Sequence, residues 1–559
     1  MAAPEQDLLR TRNALLTGKP AVALHTAKAA VAKAPGTAEP LYWLASAQAA
    51  NRDPAAAQTL NDARLTHGLA VIRAIGGDAK RLTTDGEYAL QIGHRLYNAN
   101  YPACASVAFG LAVVAGRDEP QSLVSLGLAF LHQGRAEEAN NIFRALSEAM
   151  PDSAPAQQFE LYSLFMVQDG VARHAQAARA WAERFETPVL TPALPPAPLD
   201  GRRLRVGYVA PVFSSGQIRQ FMAPLLDHHD TERFEIFLYP NDADDTTNWA
   251  ARPTVRPIGA LKDDEAVALI RQDQIDVLID AWGHTSGSRL GIFARRAAPV
   301  QATWLNYQQT TGLRAMDFAI HSRSILTPGM EALFTETVWP VEPISAPFRA
   351  DPATPSPAPS LASGSVTFGS FINPSKLSDE AVAGWSRLLL AVAGSRLLLK
   401  YRYFEDPVLA RATTARFAAH GVDPDRLVYE GHAQGDDYEQ AFARIDLSLD
   451  PSPCPGGTTT LEALARGVPV ITLRGPTFYS RIGVQLVEGA GLPDLVADSW
   501  DDYVAKAAAA ATDPASLQAL RDRTWEGFAK ASFRDEALVT RTLEEAYLGM
   551  FAAKWPDQV

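Results

Sequence analysis

Pro451-Ser-Pro-Cys-Pro-Gly-Gly-Thr-Thr-Thr-Leu-Glu-Ala-Leu-Ala-Arg-Gly-Val-Pro-Val-Ile-Thr-Leu-Arg-Gly-Pro476 is the stretch whose reading decides the fold. Ahead of it, Leu447 to Asp450 reads as a strand with an acidic end. The Pro/Gly loop then opens a helix whose first turn is Gly457, Thr458, Thr459 and Thr460. A helix start offers unpaired N–H groups and the positive end of the dipole, which together attract phosphate. Three threonine hydroxyls add donors, and Gly456 and Gly457 allow an anion close to the backbone. Glu462, in the first helical turns, is placed to accept hydrogen bonds from ribose hydroxyls. A nucleotide mono- or diphosphate fits this order of residues. An N-cap threonine opening an ordinary core helix fits it too.

The rest of the composition sets the frame. A chain of 559 residues is too long for one core, and about two to four domains are expected. Hydrophobic content of 47% with 20% charged residues describes a soluble globular protein. A net charge of −12 without a Lys/Arg-rich run argues against nucleic acid as the partner. Only Cys104 and Cys454 are present, in regions of different character, so neither a disulfide framework nor a cysteine zinc site is expected. No metal and no cofactor is called for. With no signal-like start and no run of about 18 apolar residues, a cytoplasmic protein without a membrane span is expected.

From Leu8 to about Phe185 the chain is Ala/Leu-rich with helical spacing. Gly93, Ala105, Phe109 and Ala112 recur 34 residues on as Gly127, Ala139, Phe143 and Leu146. Leu126, Phe130 and Pro151 add to the second unit, and the period resembles the tetratricopeptide repeat. Ala23 to Pro35 and Trp43 to Ala57 read as degenerate units, and 158–185 as a further helix pair. Such stacks present a concave surface to a peptide or protein. Cys104, beside a helix-crossing residue, reads as packing.

Prolines 188, 192, 195, 196 and 198 then make a stiff spacer. Beyond it Leu204–Ala210, Phe234–Tyr239, Val277–Ala281 and Val300–Leu305 read as buried parallel strands separated by helices. After a second Pro/Ser/Ala-rich stretch, Val366–Phe371, Arg396–Tyr401, Leu427–Glu430, Leu447–Asp450 and Val470–Leu473 repeat the pattern. The resulting division is a helical repeat over 1–186 and a linker over 187–201. A first α/β domain over 202–345, a linker over 346–364 and a second α/β domain over 365–559 complete it. Two doubly wound sheets bind ligands at the carboxyl ends of their strands, in the crevice between them. The unusual groups Val212–Gln220, Asp280–His284, Asn306–Thr311, Phe371–Lys376 and Pro451–Glu462 all fall at such ends.

Several of these strings resemble the O-GlcNAc transferase family (SPINDLY-like, glycosyltransferase family 41). They are Arg-Leu-Arg-Val-Gly-Tyr-Val at 203–209, the run from Asp280 to Leu305, Phe-Gly-Ser-Phe at 368–371 with Lys376, and Leu-Asp-Pro to Gly-Thr-Thr at 449–459. Arg481, in Gly-Pro-Thr-Phe-Tyr-Ser-Arg at 475–481, also matches. The likeness covers roughly 202–550, and the family places tetratricopeptide repeats before its catalytic half. It implies a GT-B fold of two facing Rossmann-like halves after an α-helical repeat. It also implies metal-independent transfer of a sugar from a nucleotide donor to Ser or Thr of a protein acceptor.

Carried over residue by residue, the resemblance makes Lys376 the group that neutralises the leaving phosphate, with a solvated lysine near a helix start as the plain reading. Thr458 and Thr459 match phosphate-binding threonines, and Glu462 stands where the family has a ribose-binding aspartate. Asp280, at a strand end, either orients or deprotonates the acceptor hydroxyl or caps the following turn. His284 either donates to sugar or phosphate or packs as a neutral ring. Arg481 orients a loop or a phosphate, and Tyr438 falls where the family stacks a ring on the base. The chain also departs from the pattern. Its first loop, Val212-Phe-Ser-Ser-Gly-Gln-Ile-Arg-Gln, has no histidine. Tyr307-Gln-Gln-Thr, with Gln309 facing the nucleotide sugar, replaces Tyr-Pro-Gly-Thr, and Gly457-Thr-Thr replaces His-Thr-Thr.

Those departures fit either a different donor or an inactive enzyme. Flagellin-glycosylating bacterial relatives join the same modules and are similar in using nonulosonic acids carried on CMP, whose single phosphate needs fewer partners. The expectation is therefore a cytoplasmic protein O-glycosyltransferase whose repeats recruit flagellin, with Arg219 pairing the sugar carboxylate or lying idle on the surface. A UDP-N-acetylglucosamine transferase and a non-catalytic repeat scaffold are the alternatives.

Overall fold

The computed structural model describes residues 6–7, 10–11, 14, 19–33, 44, 81–167, 169–193, 195–214, 216–242, 249–349, 355–432 and 436–558. Trp43 to Ala57, read as a degenerate repeat, lies outside the described residues except for Leu44. The chain forms two compact units. One holds 1–146 with 401–415 and 429–432, and the other holds 147–400, 416–428 and 433–559.

The first unit contains α1 (Pro20–Lys33), α2 (Gly86–Asn98), α3 (Pro102–Val114), α4 (Pro120–Leu131) and most of α5 (Ala136–Ala149). Helix α4 starts 34 residues after α2, and α5 starts 34 after α3. The reason for the period is a close helix crossing. A Cβ on Gly93 would lie 2.4 Å from the Phe109 ring, and one on Gly127 would lie 2.5 Å from the Phe143 ring. Both phenylalanines are fully buried, so the crossing tolerates only glycine. Asp85 caps α2 by accepting from Tyr88 N at 3.0 Å. Helix α3 has no cap of its own. Asp406 supplies one, its Oδ2 accepting from Ala103 N (2.8 Å) and Cys104 N (3.0 Å) while the Cys104 thiol donates to Oδ1. Burial and that carboxylate push the Cys104 thiol far up, so it packs rather than reacts.

The second unit opens with α6 (Ala154–Ser163) and α7 (Gly170–Phe185), the helix pair expected over 158–185. Seven strands follow in the order β3-β2-β1-β4-β5-β6-β7. They are β1 (Leu204–Ala210), β2 (Phe234–Pro240), β3 (Thr254–Val255), β4 (Val277–Asp280), β5 (Val300–Thr303), β6 (Phe318–Ser322) and β7 (Thr337–Val341). All neighbouring pairs are parallel. The second sheet repeats the winding in the order β10-β9-β8-β11-β12-β13. Its strands are β8 (Thr367–Ser370), β9 (Arg396–Lys400), β10 (Leu427–Glu430), β11 (Leu447–Leu449), β12 (Val470–Leu473) and β13 (Val496–Ala497). Two doubly wound sheets after a helical region are the GT-B architecture that the sequence implies.

The first sheet buries both faces, as strands with near-continuous apolar runs require. Val206, Tyr208, Val277 and Ile279 point to one core with α8 (Gly216–His228). Val209, Phe237 and Leu278 point to the other, with α9 (Asp263–Gln272) and α10 (Leu290–Ala294). Two further covers come from outside the sequence-assigned domain. Ala178, Trp181 and Ala182 of α7, assigned to the repeat segment by sequence, pack on the second face. Leu543, Tyr547, Met550 and Phe551 pack on the first, from the helix Glu536–Lys554 near the end of the chain. A buried polar latch holds that helix. Tyr208 Oη meets His229 Nε2 at 2.9 Å, and His229 Nδ1 meets Glu544 Oε1 at 2.9 Å. Among the described residues no helix is long and apolar enough to cross a membrane.

Gly93→Ala should overpack the α2–α3 crossing. The expected loss is about 1–2 kcal/mol after the gain in helix propensity, read as an earlier unfolding transition of the repeat region in urea. An unchanged midpoint would show that the Phe109 ring moves aside freely.

Candidate functional site: a helix start at the end of the second sheet

Strand β11 runs out at Asp450, which is 3% exposed. A carboxylate there has to find donors, because burial without them costs several kcal/mol. It takes them from the loop that follows. Its Oδ1 accepts from Gly456 N at 3.2 Å and from Thr460 Oγ1 at 3.0 Å. Gly483 fits beside it, since a Cβ there would sit 2.4 Å from Oδ2. Burial still pushes Asp450 up to about 6, against the pull of these donors and of Lys376.

That anchoring fixes the start of α11 (Thr458–Ala465). Its N-cap is Gly457, with φ −121° and ψ −83°, and no side chain caps the helix. The N-cap threonine reading is therefore corrected: the residue in that place has no hydroxyl. Thr460 is turned inward to Asp450, while Gly457, Thr458 and Thr459 are half-buried at the open end. Lys376 ends a short turn after β8, and its Nζ donates to Pro455 O at 2.9 Å, beside the same loop. The ammonium thus adjoins the loop that leads into the helix start and its two half-buried threonines, an arrangement that attracts an anion.

Glu462 lies one turn further along. Its Oε2 accepts from Tyr438 Oη at 2.8 Å, and the Gln220 amide of α8 is near enough to favour the charged carboxylate. Burial raises Glu462 above the usual carboxylate range. The Tyr438 ring is set edge-on to Phe442 (5.5 Å), and Phe442 contacts Phe371 (4.5 Å). Lys376, Gly456, Gly457, Thr458, Thr459, Thr460, Glu462 and Tyr438 therefore gather at one place. Arg481 does something different. Its Nε donates to Gly475 O at 3.0 Å, which ties down the turn ahead of α12 (Ile482–Gly489), and burial with Arg474 nearby lowers its pKa.

Asp280, His284 and Gln309 gather at a second place, the carboxyl end of the first sheet. Asp280 is 1% exposed, and its oxygens accept from Trp282 N (3.2 Å), Gly283 N (3.0 Å) and Thr303 Oγ1 (3.1 Å). These are the bonds of a turn anchor. Burial pushes its pKa up to about 6. His284 is fully buried, its Nε2 donates to Thr311 O at 2.8 Å, and burial pulls it down to about 4, so the ring is neutral. Its Nδ1 and Gln309 Nε2 are buried atoms without a hydrogen-bond partner among the described residues. Sequence reasoning gave no role to Asp450, Gln220, or the pair His174 and Tyr307, whose Nε2 and Oη meet. An acidic residue ending an apolar run was a signal for Asp450. The other two pairings span the chain and left none.

The sequence family described as glycosyl transferase family 41 matches residues 190–337 and 356–541. The chain belongs to that family. It is 32% identical over 424 residues to a probable UDP-N-acetylglucosamine–peptide N-acetylglucosaminyltransferase SPINDLY of Solanum lycopersicum, covering 72% of this chain and 44% of the relative. A UDP-N-acetylglucosamine–peptide N-acetylglucosaminyltransferase of Caenorhabditis elegans is 23% identical over 449 residues, covering 58% and 39%. The chain thus spans less than half the length of these curated relatives. Among solved structures, a mutant of the Thermobaculum terrenum O-GlcNAc transferase superposes with a TM-score of 0.77 at 26% identity, covering 100% of this chain and 98% of that one. The family 41 match spans both sheets, so both gatherings of residues lie in the glycosyltransferase region. Among the described residues no group of three or more His, Cys, Asp or Glu could hold a metal ion.

Asp450 carries a pH signature. Its folded pKa of about 6 lies above the ordinary 3.8, so the native state binds the proton more tightly. Its contribution is complete below about pH 4 and lost as pH rises through about 6. Compared with Asp450→Asn, the parent should lose stability on the order of 2–3 kcal/mol between pH 4 and 7. Parallel stability profiles for the two proteins over that range would contradict the assignment.

Proposed function

We propose that the chain is a protein O-glycosyltransferase that moves a nonulosonic acid from a CMP donor to Ser or Thr of flagellin in the cytoplasm. The observation that carries this reading is the uncapped start of α11, with the Lys376 ammonium at the adjoining loop. One helix start with one lysine matches one phosphate, as CMP-linked sugars have. Arg219 supports an acidic sugar. It is exposed on the first turn of α8, next to Gln220, which reaches Glu462 of the donor site. A guanidinium there is suited to a carboxylate.

In the reaction, the acceptor hydroxyl oxygen bonds to the anomeric carbon as the bond from that carbon to the phosphate oxygen breaks, and the hydroxyl proton passes to the departing phosphate. Negative charge grows on the leaving nucleotide, and Lys376 with the Thr458 and Thr459 donors stabilises it. Glu462 takes the ribose, held in place by Tyr438. Asp280, with its oxygens engaged by Trp282, Gly283 and Thr303, holds the acceptor-side turn, and His284 holds Thr311. Arg481 keeps the 475–481 turn closed. The repeats recruit the acceptor through their exposed surface.

A UDP-N-acetylglucosamine donor is the second reading, favoured by the activity for which the Solanum lycopersicum relative is named. Thermal unfolding separates the two. CMP at 100 times its Kd should stabilise the protein by about 2.7 kcal/mol, with UDP giving less. Stabilisation by UDP alone would overturn the CMP reading. Lys376→Ala should cut transfer to flagellin by about 100-fold or more, measured as intact-mass gain, while leaving flagellin binding intact. Undiminished transfer would remove Lys376 from the chemistry.

A further inference from the structure

The loop Asn306–Ala315, which carries Gln309, is held from the side of α7. The buried stripe of that helix is Gly170, His174, Ala175, Ala178, Trp181 and Ala182. Three contacts tie it to the loop. His174 Nε2 meets the Tyr307 hydroxyl, with both side chains buried. Gly312, at φ +79°, lies flat on the helix, where a Cβ would fall 2.2 Å from Ala178 O. The buried Glu186 carboxylate accepts from Arg314 N at 3.0 Å and Ala315 N at 2.6 Å.

The far side of the loop is equally fixed. Glu336, fully buried, accepts from Thr310 Oγ1 at 2.6 Å and Thr311 N at 2.7 Å. Gln308 is engaged at both ends, with Leu305 O at 2.8 Å and His321 Nδ1 at 3.1 Å. Gln309 is 2% exposed, and its amide nitrogen has no hydrogen-bond partner among the described residues. A buried donor left unpaired is destabilising, and a ligand oxygen would recover that cost. The same segment also touches the second sheet's loops. Phe165 sets its ring edge-on to Tyr307 (4.8 Å) and to Tyr479 (4.9 Å), and Tyr479 Oη meets Cys454 Sγ at 2.8 Å, just before Pro455.

We propose that Leu164–Glu186, which precedes both catalytic sheets in the chain, is a working part of the transfer site, with His174 as a positioning residue. His174 fixes Tyr307, and the loop so fixed presents the Gln309 amide to an oxygen of the bound sugar. The proposal rests on the transferase reading above. It makes the last helix before the proline-rich linker a component of the catalytic wall, and it predicts that the hydrogen bond, more than the volume of the rings, sets turnover.

The test compares His174→Phe, Tyr307→Phe and the double variant in the full chain. Each removes the hydrogen bond and keeps a ring. Turnover onto flagellin should fall about tenfold or more, with stabilisation by CMP unchanged. The double variant should be no slower than either single one. Hydrogen exchange at the 311–315 amides should quicken in all three. Turnover within twofold of the parent in a folded variant, or unchanged exchange, would overturn the proposal. If His174→Phe does not fold, Tyr307→Phe decides alone. Should the parent neither bind CMP nor modify flagellin, the preceding reading falls, and the exchange measurement still decides whether His174 holds the loop.

Discussion

A buried aspartate ends the strand beside the first strand in each sheet, and the loops of the site hang from those two carboxylates. Strand β4 lies next to β1 and ends in Asp280, and β11 lies next to β8 and runs into Asp450. Each carboxylate accepts from backbone N–H groups of the loop that follows and from one threonine hydroxyl, Thr303 or Thr460. Each is pushed up to about 6 by burial. These are the topological switch points of the two sheets, where the neighbouring loops turn opposite ways and leave a crevice. A carboxylate taken out of water there draws the N–H groups of the following loop to itself, because burial without donors is costly.

The shared device explains why Asp280 looked like chemistry in the sequence while Asp450 did not. Asp280 sits in a run rich in His, Thr, Ser and Arg, so a catalytic role was the natural alternative to a cap. Asp450 stands before prolines and glycines and reads as punctuation. Geometry gives both the same kinds of partner, backbone N–H and a threonine hydroxyl. What differs is the loop each one shapes. The loop after Asp280 is packed against Tyr307, where Gly283 leaves no room for a Cβ. The loop after Asp450 ends in an open helix start.

Local pattern made much of the fold legible. Leu204–Ala210, Leu427–Glu430 and Val470–Leu473 have the ends that apolar runs bounded by turn residues imply. Strands β6 and β7 were not read, since Phe-Ala-Ile-His-Ser and Thr-Val-Trp-Pro-Val mix polar residues and a proline into short runs. The repeat period was legible because one contact, glycine against phenylalanine, recurs at fixed spacing. The partners of α7 and of Glu536–Lys554 were not. Amphipathic spacing shows that a helix has a face to bury and is silent about which surface covers it. The site divides in the same way. Residues of one helix start follow from sequence order, whereas His174 and Tyr307 are 133 positions apart.

Gly457 shows how the local and the long-range parts fit together. A Ser, Thr or Asp at that N-cap would satisfy the helix N–H groups itself, a gain of about 0.5–2 kcal/mol. Glycine forgoes it, and Asp450 draws Thr460 away so that this hydroxyl cannot cap either. The helix start is thus kept short of acceptors by two separate arrangements, one in the sequence and one in the fold. Nearby Lys376 donates to the neutral carbonyl oxygen of Pro455, and the buried Asp450 carboxylate feels its charge. Under the proposed reading, the donor's phosphate is the acceptor that this helix start lacks in its own sequence.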